Sequence, residues 1–292
     1  MISLYTDHYF HIGDTHLTAG KPCQDYAISS VNNNAAFAVV SDGCSKGGHT
    51  DIGSRLIALS TINALYEHWT KIGEFNENAS QKIALHQEIK LSAIQEILGL
   101  KLNDMYATCL YACITSKGGF IFMQGDGVIV LKYKDESLAL HRYEWMDNTP
   151  FYPVYRNEAL TNFIQLHGND LQNLRFNQEI WIKKGEEDFQ QSGEKINFTL
   201  SQGIQGITVY ISEECLNQEL EFIGIFSDGV CQIQDVDWKD AVVNFMSFKN
   251  TAGEFAKRRM IMGIKNFKQE GKKLLDDIAY AVVRIEIEKE VS

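Results

Sequence analysis

Acidic residues stand at four places in this chain where a hydrophobic run meets a turn, and such positions suit metal coordination. They are Gln24-Asp25, Asp42-Gly43, Gly125-Asp126-Gly127 with Ser227-Asp228-Gly229, and Asp276-Asp277. A strand fixes the direction of a carboxylate at its end, and a following glycine lets the backbone turn its carbonyl toward the same cation. An all-oxygen shell favours magnesium or manganese over zinc. The sequence therefore predicts a carboxylate cage for metal ions.

The alternative for each of these positions is a simple turn, because Asp-Gly often follows a strand in proteins. Residues 36–43 and 222–229 nearly repeat one pattern, an apolar run that ends in Ser-Asp-Gly. Three strand-then-Asp-Gly sites, together with an Asp-Asp pair before the last apolar run, favour one shared site over four unrelated turns.

Length and composition are typical of a single-domain enzyme. The chain has 292 residues, of which 45% are hydrophobic, with three prolines and no Gly/Ser-rich linker. We therefore expect one domain over residues 1–292. The formal net charge of −11 argues against a nucleic-acid partner bound through its phosphates.

The cysteines and the N-terminus indicate a cytoplasmic protein. The six cysteines form no CxxC pair and no zinc-site spacing, so we interpret them as free thiols. Residues 1–10 include Asp7 and His8 and lack the basic start of a signal peptide. Because no uncharged apolar stretch reaches 18 residues, we expect a soluble chain with no membrane partner.

Periodicity predicts strands and helices in the first half of the chain. Residues 26–31 and 35–41 form a predicted hairpin around Asn32-Asn33-Asn34, since asparagine tolerates left-handed turns. The second predicted hairpin joins residues 107–115 to 120–124, and residues 128–133 follow as a third strand of this meander. Apolar residues at helical spacing predict helices over residues 51–69 and 80–100.

The second half is less regular. Residues 144–205 have weak periodicity, which predicts an irregular flap followed by short strands. Strands are then predicted at residues 206–212, 220–227 and 278–287, and helices at 238–246 and 251–267.

In this order, the motifs resemble those of the metal-dependent serine/threonine protein phosphatases of type 2C, in their compact bacterial form. The family's early acidic or amide residue followed by Asp corresponds to Gln24-Asp25. Its strand ending in Asp-Gly, with a Gly-rich loop and a helical Gly-x-Arg, corresponds to Asp42-Gly43 and Gly53-Ser54-Arg55. The remaining motifs correspond to Gly125-Asp126-Gly127, Asp228-Gly229 and Asp276-Asp277. The resemblance covers essentially the whole chain.

The resemblance implies an α+β fold, a four-layer αββα sandwich with two antiparallel β-sheets flanked by helices. It also implies that Asp42 bridges two Mg²⁺ or Mn²⁺ ions and that the Gly43 carbonyl completes the shell of one. Asp228 and Asp276 would hold the other ion. The predicted catalytic residues are therefore Asp42, Asp228 and Asp276.

Three further acids have implied supporting roles. Asp25 would orient waters bound to the ions. Asp126, with Asp228, would form a weaker site for a third ion, and Asp277 would support the ligand beside it.

Such a site fits phosphate-monoester hydrolysis, which is extremely slow in water. Two cations about 3.5–4 Å apart would hold an attacking water between them and screen the phosphoryl oxygens. The implied substrate is a phosphorylated protein, with a serine/threonine kinase or its targets as partners. The alternatives are a non-catalytic relative that binds phosphoproteins or regulates a kinase, and a metal-dependent phosphatase of a small phosphorylated metabolite.

Two departures from the family pattern concern substrate handling. Many members have a histidine after the bridging Asp-Gly as a general acid, whereas this chain has Cys44, with His49 as a substitute candidate. The usual phosphate-anchoring arginine upstream of the first aspartate is also missing. Lys21 is the only lysine or arginine between residues 10 and 24 and is the predicted substrate-binding residue, with His11 and His16 as weaker candidates. A lysine binds phosphate as a point charge, without the bidentate geometry of arginine.

Overall fold

Strands dominate both ends of the chain, and helices separate the main strand groups. The computed structural model describes residues 2–76, 78–156, 159–217 and 219–287. In these residues the strands are β1 (Ile2–His11), β2 (Tyr26–Asn32), β3 (Ala35–Ser41), β4 (Cys109–Thr115), β5 (Gly118–Gln124), β6 (Gly127–Tyr133), β7 (Leu138–Trp145), β8 (Leu174–Lys183), β9 (Gln190–Gln191), β10 (Ile196–Thr199), β11 (Ile207–Ser212), β12 (Leu220–Phe226) and β13 (Ile278–Ile287). The α-helices are α1 (Asp14–Thr18), α2 (Thr50–Ile72), α3 (Ala79–Leu98), α4 (Leu160–Leu166), α5 (Leu200–Gln205), α6 (Glu213–Asn217), α7 (Trp238–Phe245) and α8 (Phe255–Gln269).

The strands form two antiparallel sheets. The eight-stranded sheet has the order β1-β13-β12-β6-β7-β8-β10, with β9 paired to β8. The five-stranded sheet has the order β11-β5-β4-β3-β2. Both sheets thus combine strands from distant parts of the sequence.

Three buried clusters lie between four layers. Alternate residues of one strand enter different clusters, as Val40 does between the sheets and Val39 does beneath α2, because successive side chains point to opposite faces. The cluster between the sheets also contains Ile225 of β12, and the outer face of the larger sheet packs on Phe245 of α7 and Met260 of α8. The predicted αββα sandwich is confirmed.

The asparagine turn between β2 and β3 has the predicted left-handed backbone conformation. Asn33 and Asn34 have φ values of 45° and 64°, the left-handed conformation that asparagine tolerates. The pairing of β2 with β3 extends over all seven residues of each strand. This hairpin carries the first two predicted acids at its open end.

Strand β6 corrects one prediction. Residues 128–133 are predicted to continue the meander of β4 and β5, but β6 pairs with β12 and β7 in the other sheet. The cause is Gly125-Asp126-Gly127, where φ is 115° at Gly125 and 142° at Gly127. Only glycine adopts such angles readily, so the chain leaves one sheet and enters the other at this point.

Residues 144–205 are more regular than predicted. Instead of an irregular flap, this region contains α4, α5 and β10, and the ten-residue strand β8, which pairs with β7 from Leu138 and Lys183 to Trp145 and Phe176. Strand β8 lacks a clear apolar alternation because Asn177 and Gln178 are among its buried residues. Strand β1, at the other end of the chain, is a further strand that the sequence pattern does not predict.

Strand register brings the acidic positions to one edge of the sandwich. In the smaller sheet Tyr26 pairs with Ser41, so Asp25 and Asp42 are neighbours. In the larger sheet Phe226 pairs with both Tyr280 and Val128. The segments just beyond these residues, which carry the other predicted acids, therefore lie side by side. No helix in the described residues is long and apolar enough to cross a membrane.

Candidate metal centre

Loops at the ends of β12, β13 and β6 hold the acids of the larger sheet. Asp228 and Asp276 are half-buried, and Asp126 is buried. Gly229 fixes the distance between the loop after β12 and the loop before β13, because a Cβ there would lie 1.8 Å from the Asp277 carbonyl oxygen. No larger residue fits without moving the backbone.

The hairpin end of the smaller sheet holds Asp25 and Asp42. The Asp42 amide donates to Thr108 Oγ1 at 3.0 Å, and the Thr108 amide donates to the Asp42 carbonyl at 2.8 Å. Gly43 continues this pairing through a bridge to Ala107. The Asp42 backbone is therefore held by Thr108.

These five carboxylates repel one another electrostatically. Burial, followed by the charges of Asp25 and Asp228, raises the pKa of Asp42 well above its usual range. Burial is also the main cause of the raised pKa values of Asp25, Asp126 and Asp276, and Asp228 raises each of them further. Asp228 is thus the charge common to all four. Such a cluster disfavours the fully ionised state unless a cation lies among the carboxylates.

One buried oxygen in the cluster has no hydrogen-bond donor in the described part of the chain. Asp25 is 2% exposed, and its Oδ2 atom lacks a hydrogen-bond partner. A buried carboxylate oxygen is costly when it is unpaired. A hard divalent cation, or a water that it holds, would satisfy this oxygen, so the donor set fits Mg²⁺ or Mn²⁺.

Asp277 has a different environment from its neighbour. Its Oδ1 accepts the Gly13 amide and its Oδ2 accepts the Gln24 amide, each at 2.6 Å. His16, on α1, lies with its Nδ1 3.0 Å from Asp277 Oδ2. Asp277 thus ties the first loop to the last strand and supports the position of Asp276.

His16 is buried in this contact, which corrects its interpretation as a weaker candidate for a phosphate anchor. Its Nδ1 lies 3.9 Å from Asp276 Oδ1, so it faces the carboxylates. Burial depends on tertiary packing, and the sequence around His16 gives no sign of it.

Gln232 is a residue of the centre that the sequence does not reveal. Its Nε2 donates to Asp228 Oδ2 at 3.0 Å and lies 3.4 Å from Asp276 Oδ2. The only signal is its position four residues after Asp228. We infer that Gln232 holds these two carboxylates at a fixed separation.

Lys21, His49 and Arg55 make contacts with residues other than the five carboxylates. Lys21 is exposed, and its Nζ donates to the Ser45 carbonyl at 3.3 Å, so it lies beside the loop that follows Asp42. His49 is exposed, and its amide donates to Asp104. The guanidinium of Arg55 lies over the ring of Tyr26, 5.1 Å from its centroid.

Comparison with known proteins decides the family. The family described as protein phosphatase 2C matches residues 12–260. The chain belongs to the protein phosphatase 2C family. No curated protein sequence matches the chain.

Solved structures of phosphatases share the fold of this protein phosphatase 2C member. The serine/threonine phosphatase Stp1 from Staphylococcus aureus gives a TM-score of 0.55 at 11% identity, over 98% of this chain and 96% of that one. The serine/threonine phosphatase of S. agalactiae gives a TM-score of 0.50 at 14% identity, over 97% and 100% of the two chains. At these identities the likeness establishes the fold.

Tyr152 borders the position where many family members have a histidine. Burial raises the pKa of the Tyr152 hydroxyl strongly, and the neighbouring Cys44 thiol and the carboxylates of Asp126 and Asp42 raise it further. The hydroxyl is therefore a neutral hydrogen-bond donor beside the centre. Its ring stacks on Tyr106 with centroids 5.6 Å apart. The sequence does not indicate this residue, because it lies in the region predicted to be a flap.

A cleft of about 530 Å³ adjoins the centre. Asp126 and Asp228 line its inner end, and β7 and β8 supply polar and charged residues to its wall. A substrate bound at the carboxylates of this family member would have this cleft beside it.

Proposed function

We propose that this chain is a metal-dependent serine/threonine phosphoprotein phosphatase. The observation that carries the proposal is the convergence of five acids at one edge of the sandwich, with a buried oxygen of Asp25 unpaired in the described residues; the acids are Asp25, Asp42, Asp126, Asp228 and Asp276. Family membership supports the reaction class. Within the described residues no lysine or arginine forms a salt bridge with these five acids, and only His16 lies near one of them, Asp276, which supports a cationic ligand.

Each acid has a place in the proposed centre. Asp42 would serve two Mg²⁺ or Mn²⁺ ions, with the Gly43 carbonyl completing the shell of one and with Asp228 and Asp276 holding the other. Asp126 would join Asp228 in a weaker third site. When bound, the ions would supply Lewis-acid charge and would lower the pKa of water.

The protein's own groups account for orientation. Gln232 fixes Asp228 relative to Asp276, and the hydroxyl and amide of Thr108 hold the Asp42 backbone. Asp25, buried behind them, would accept hydrogen bonds from waters in the centre. Fixed groups of this kind lower the reorganisation that the reaction requires.

Proton delivery to the departing serine or threonine oxygen requires a donor near Asp42. Tyr152 presents a neutral hydroxyl there, beside Cys44. We assign Tyr152 a hydrogen bond to the leaving oxygen or to a water that protonates it. Lys21, beside the loop that follows Asp42, would attract the phosphate dianion.

The test is hydrolysis of p-nitrophenyl phosphate by the purified chain, with and without Mn²⁺ or Mg²⁺. We expect activity only with added metal, and its loss on addition of chelator. Metal-independent hydrolysis would contradict the proposed mechanism. A protein that binds Mn²⁺ but hydrolyses neither this ester nor a phosphopeptide would instead be a non-catalytic relative, and activity confined to small esters would indicate a metabolite phosphatase.

A further inference from the structure

The cleft beside the metal centre contains cations that the proposed reaction does not use. Arg142 on β7 and Lys195 before β10 line its wall, together with the acids Glu144 and Asp147. The chain as a whole has a net charge of −11. Two cations next to a phosphate-processing centre therefore need an explanation.

The cations are held in place by their surroundings. The Arg142 side chain is 28% exposed, and its guanidinium lies over the Trp238 ring, 5.8 Å from the centroid. Lys195 is 37% exposed, and its Nζ lies 3.1 Å from Glu179 Oε1. Arg142 thus lies against an aromatic ring, and Lys195 lies within ion-pair distance of Glu179.

The carboxylate of Glu144, which contacts both cations, is more exposed than either of them. Glu144 contacts both cations, with its Oε1 3.0 Å from Arg142 NH2 and its Oε2 3.9 Å from Lys195 Nζ, yet its side chain is 45% exposed. Asp147 pairs instead with Arg175, whose NH1 lies 2.9 Å from Asp147 Oδ2. Exposed ion pairs contribute little free energy, so an incoming anion can displace Glu144 from the two cations.

When metal ions occupy the centre, Asp126 and Asp228 do not neutralise the charges of Arg142 and Lys195. The charges of Asp126 and Asp228 would then be offset by the bound ions. Glu144 occupies the position between Arg142 and Lys195 that a substrate carboxylate would take. The wall of the cleft is therefore suited to an acidic side chain rather than to a basic one.

We propose that Arg142 and Lys195 bind an acidic residue next to the phosphorylated residue of the substrate, and that Glu144 takes the place of this carboxylate in the free protein. This inference rests on the proposed function, since it concerns the substrate of the same centre. It assigns the substrate class as acidic phosphoprotein segments.

The test compares three phosphothreonine peptides that differ only in their flanking residues, which are Asp, Ala or Lys. For the wild type with Mn²⁺ we expect kcat/KM to be about fivefold higher for the Asp peptide than for the Ala peptide, the range of one exposed ion pair. Arg142→Ala and Lys195→Ala should each reduce this ratio toward one. Glu144→Gln should raise it, a gain that damage to the fold cannot produce. Lys117→Ala removes an exposed cation on the turn between β4 and β5 and should leave the ratio unchanged.

Binding of the same peptides separates this inference from the proposed function. Fluorescence anisotropy on the wild type with Mn²⁺ present, with labelled peptides that carry a non-hydrolysable phosphonate in place of the phosphate ester, gives dissociation constants without turnover. Tighter binding of the Asp peptide would support the inference even if the reaction differs, provided that Arg142→Ala and Lys195→Ala weaken it and Glu144→Gln strengthens it. Equal binding of all three peptides, or a preference for the Lys peptide, would overturn it, whereas failure of p-nitrophenyl phosphate hydrolysis alone would overturn only the reaction.

Discussion

Replacing Asp228 with Asn should stabilise the metal-free protein and weaken its response to metal. Asp228 raises the pKa values of Asp25, Asp42, Asp126 and Asp276, so its charge opposes the ionisation of all four. Asparagine has nearly the same shape and keeps an oxygen that can accept the hydrogen bond from Gln232 Nε2. The substitution therefore removes repulsion with little change in packing.

The size of the effect can be estimated from Coulomb's law for two neighbouring carboxylates. Two carboxylates about 5 Å apart repel by roughly 3 kcal/mol at an effective dielectric constant of about 20. Protonation of the raised-pKa acids and exposure to solvent reduce this considerably, so we expect a net gain of about 1–2 kcal/mol. For a chain of this size that gain corresponds to a rise of about 2–6 °C in the thermal midpoint.

The assay is thermal unfolding followed by circular dichroism, in chelator and at saturating Mn²⁺. Asp228→Asn should unfold at a higher temperature than the wild type in chelator, and Mn²⁺ should raise its midpoint by less, because a ligand stabilises the native state according to its affinity. Asp188→Asn changes the net charge equally at an exposed position and is the control. A lower midpoint in chelator, combined with a normal Mn²⁺ response, would refute the reasoning.

Three other outcomes are expected. In chelator the thermal midpoint should fall as pH rises from about 5 to 8, because the buried aspartates keep protons in the folded state that the unfolded chain has already lost above about pH 4. Saturating Mn²⁺ should remove this trend. A midpoint that rises with pH in chelator would contradict the raised pKa values. Lys21→Ala should raise KM for a phosphopeptide more than it lowers kcat, since a surface point charge binds ground state and transition state alike, and unchanged kinetics would remove Lys21 from substrate binding. Tyr152→Phe should lower kcat roughly tenfold with little change in KM, and a fall smaller than twofold would show that the hydroxyl takes no part in the reaction.

The acids of the centre could be predicted because their signal is local. An apolar run followed by Ser-Asp-Gly identifies a strand and its end within eight residues, as at residues 36–43 and 222–229. Their meeting at one edge then follows from antiparallel register, with Tyr26 opposite Ser41 and Phe226 opposite Tyr280. That these acids bind metal stays a prediction.

The wall of the cleft could not be predicted, because its residues carry no local pattern. Arg142 and Lys195 lie in or beside residues 144–205, where polar residues such as Asn177 are buried in a strand. Burial of polar side chains removes the alternation from which a strand is recognised. The transfer of β6 to the other sheet also cannot be predicted from the sequence. The backbone φ angles of Gly125 and Gly127 decide the direction of the chain there, and a Gly-Asp-Gly motif is equally compatible with a hairpin.

The role of Asp42 is the most direct test of the metal-centre account. Phosphate release from a phosphothreonine peptide should be measured for the wild type and for Asp42→Asn at saturating Mn²⁺, with the fold of both checked by circular dichroism. The account predicts that the neutral amide, which cannot serve two cations, lowers kcat by about a thousandfold or more while the fold is retained. Activity of Asp42→Asn within tenfold of the wild type would contradict it.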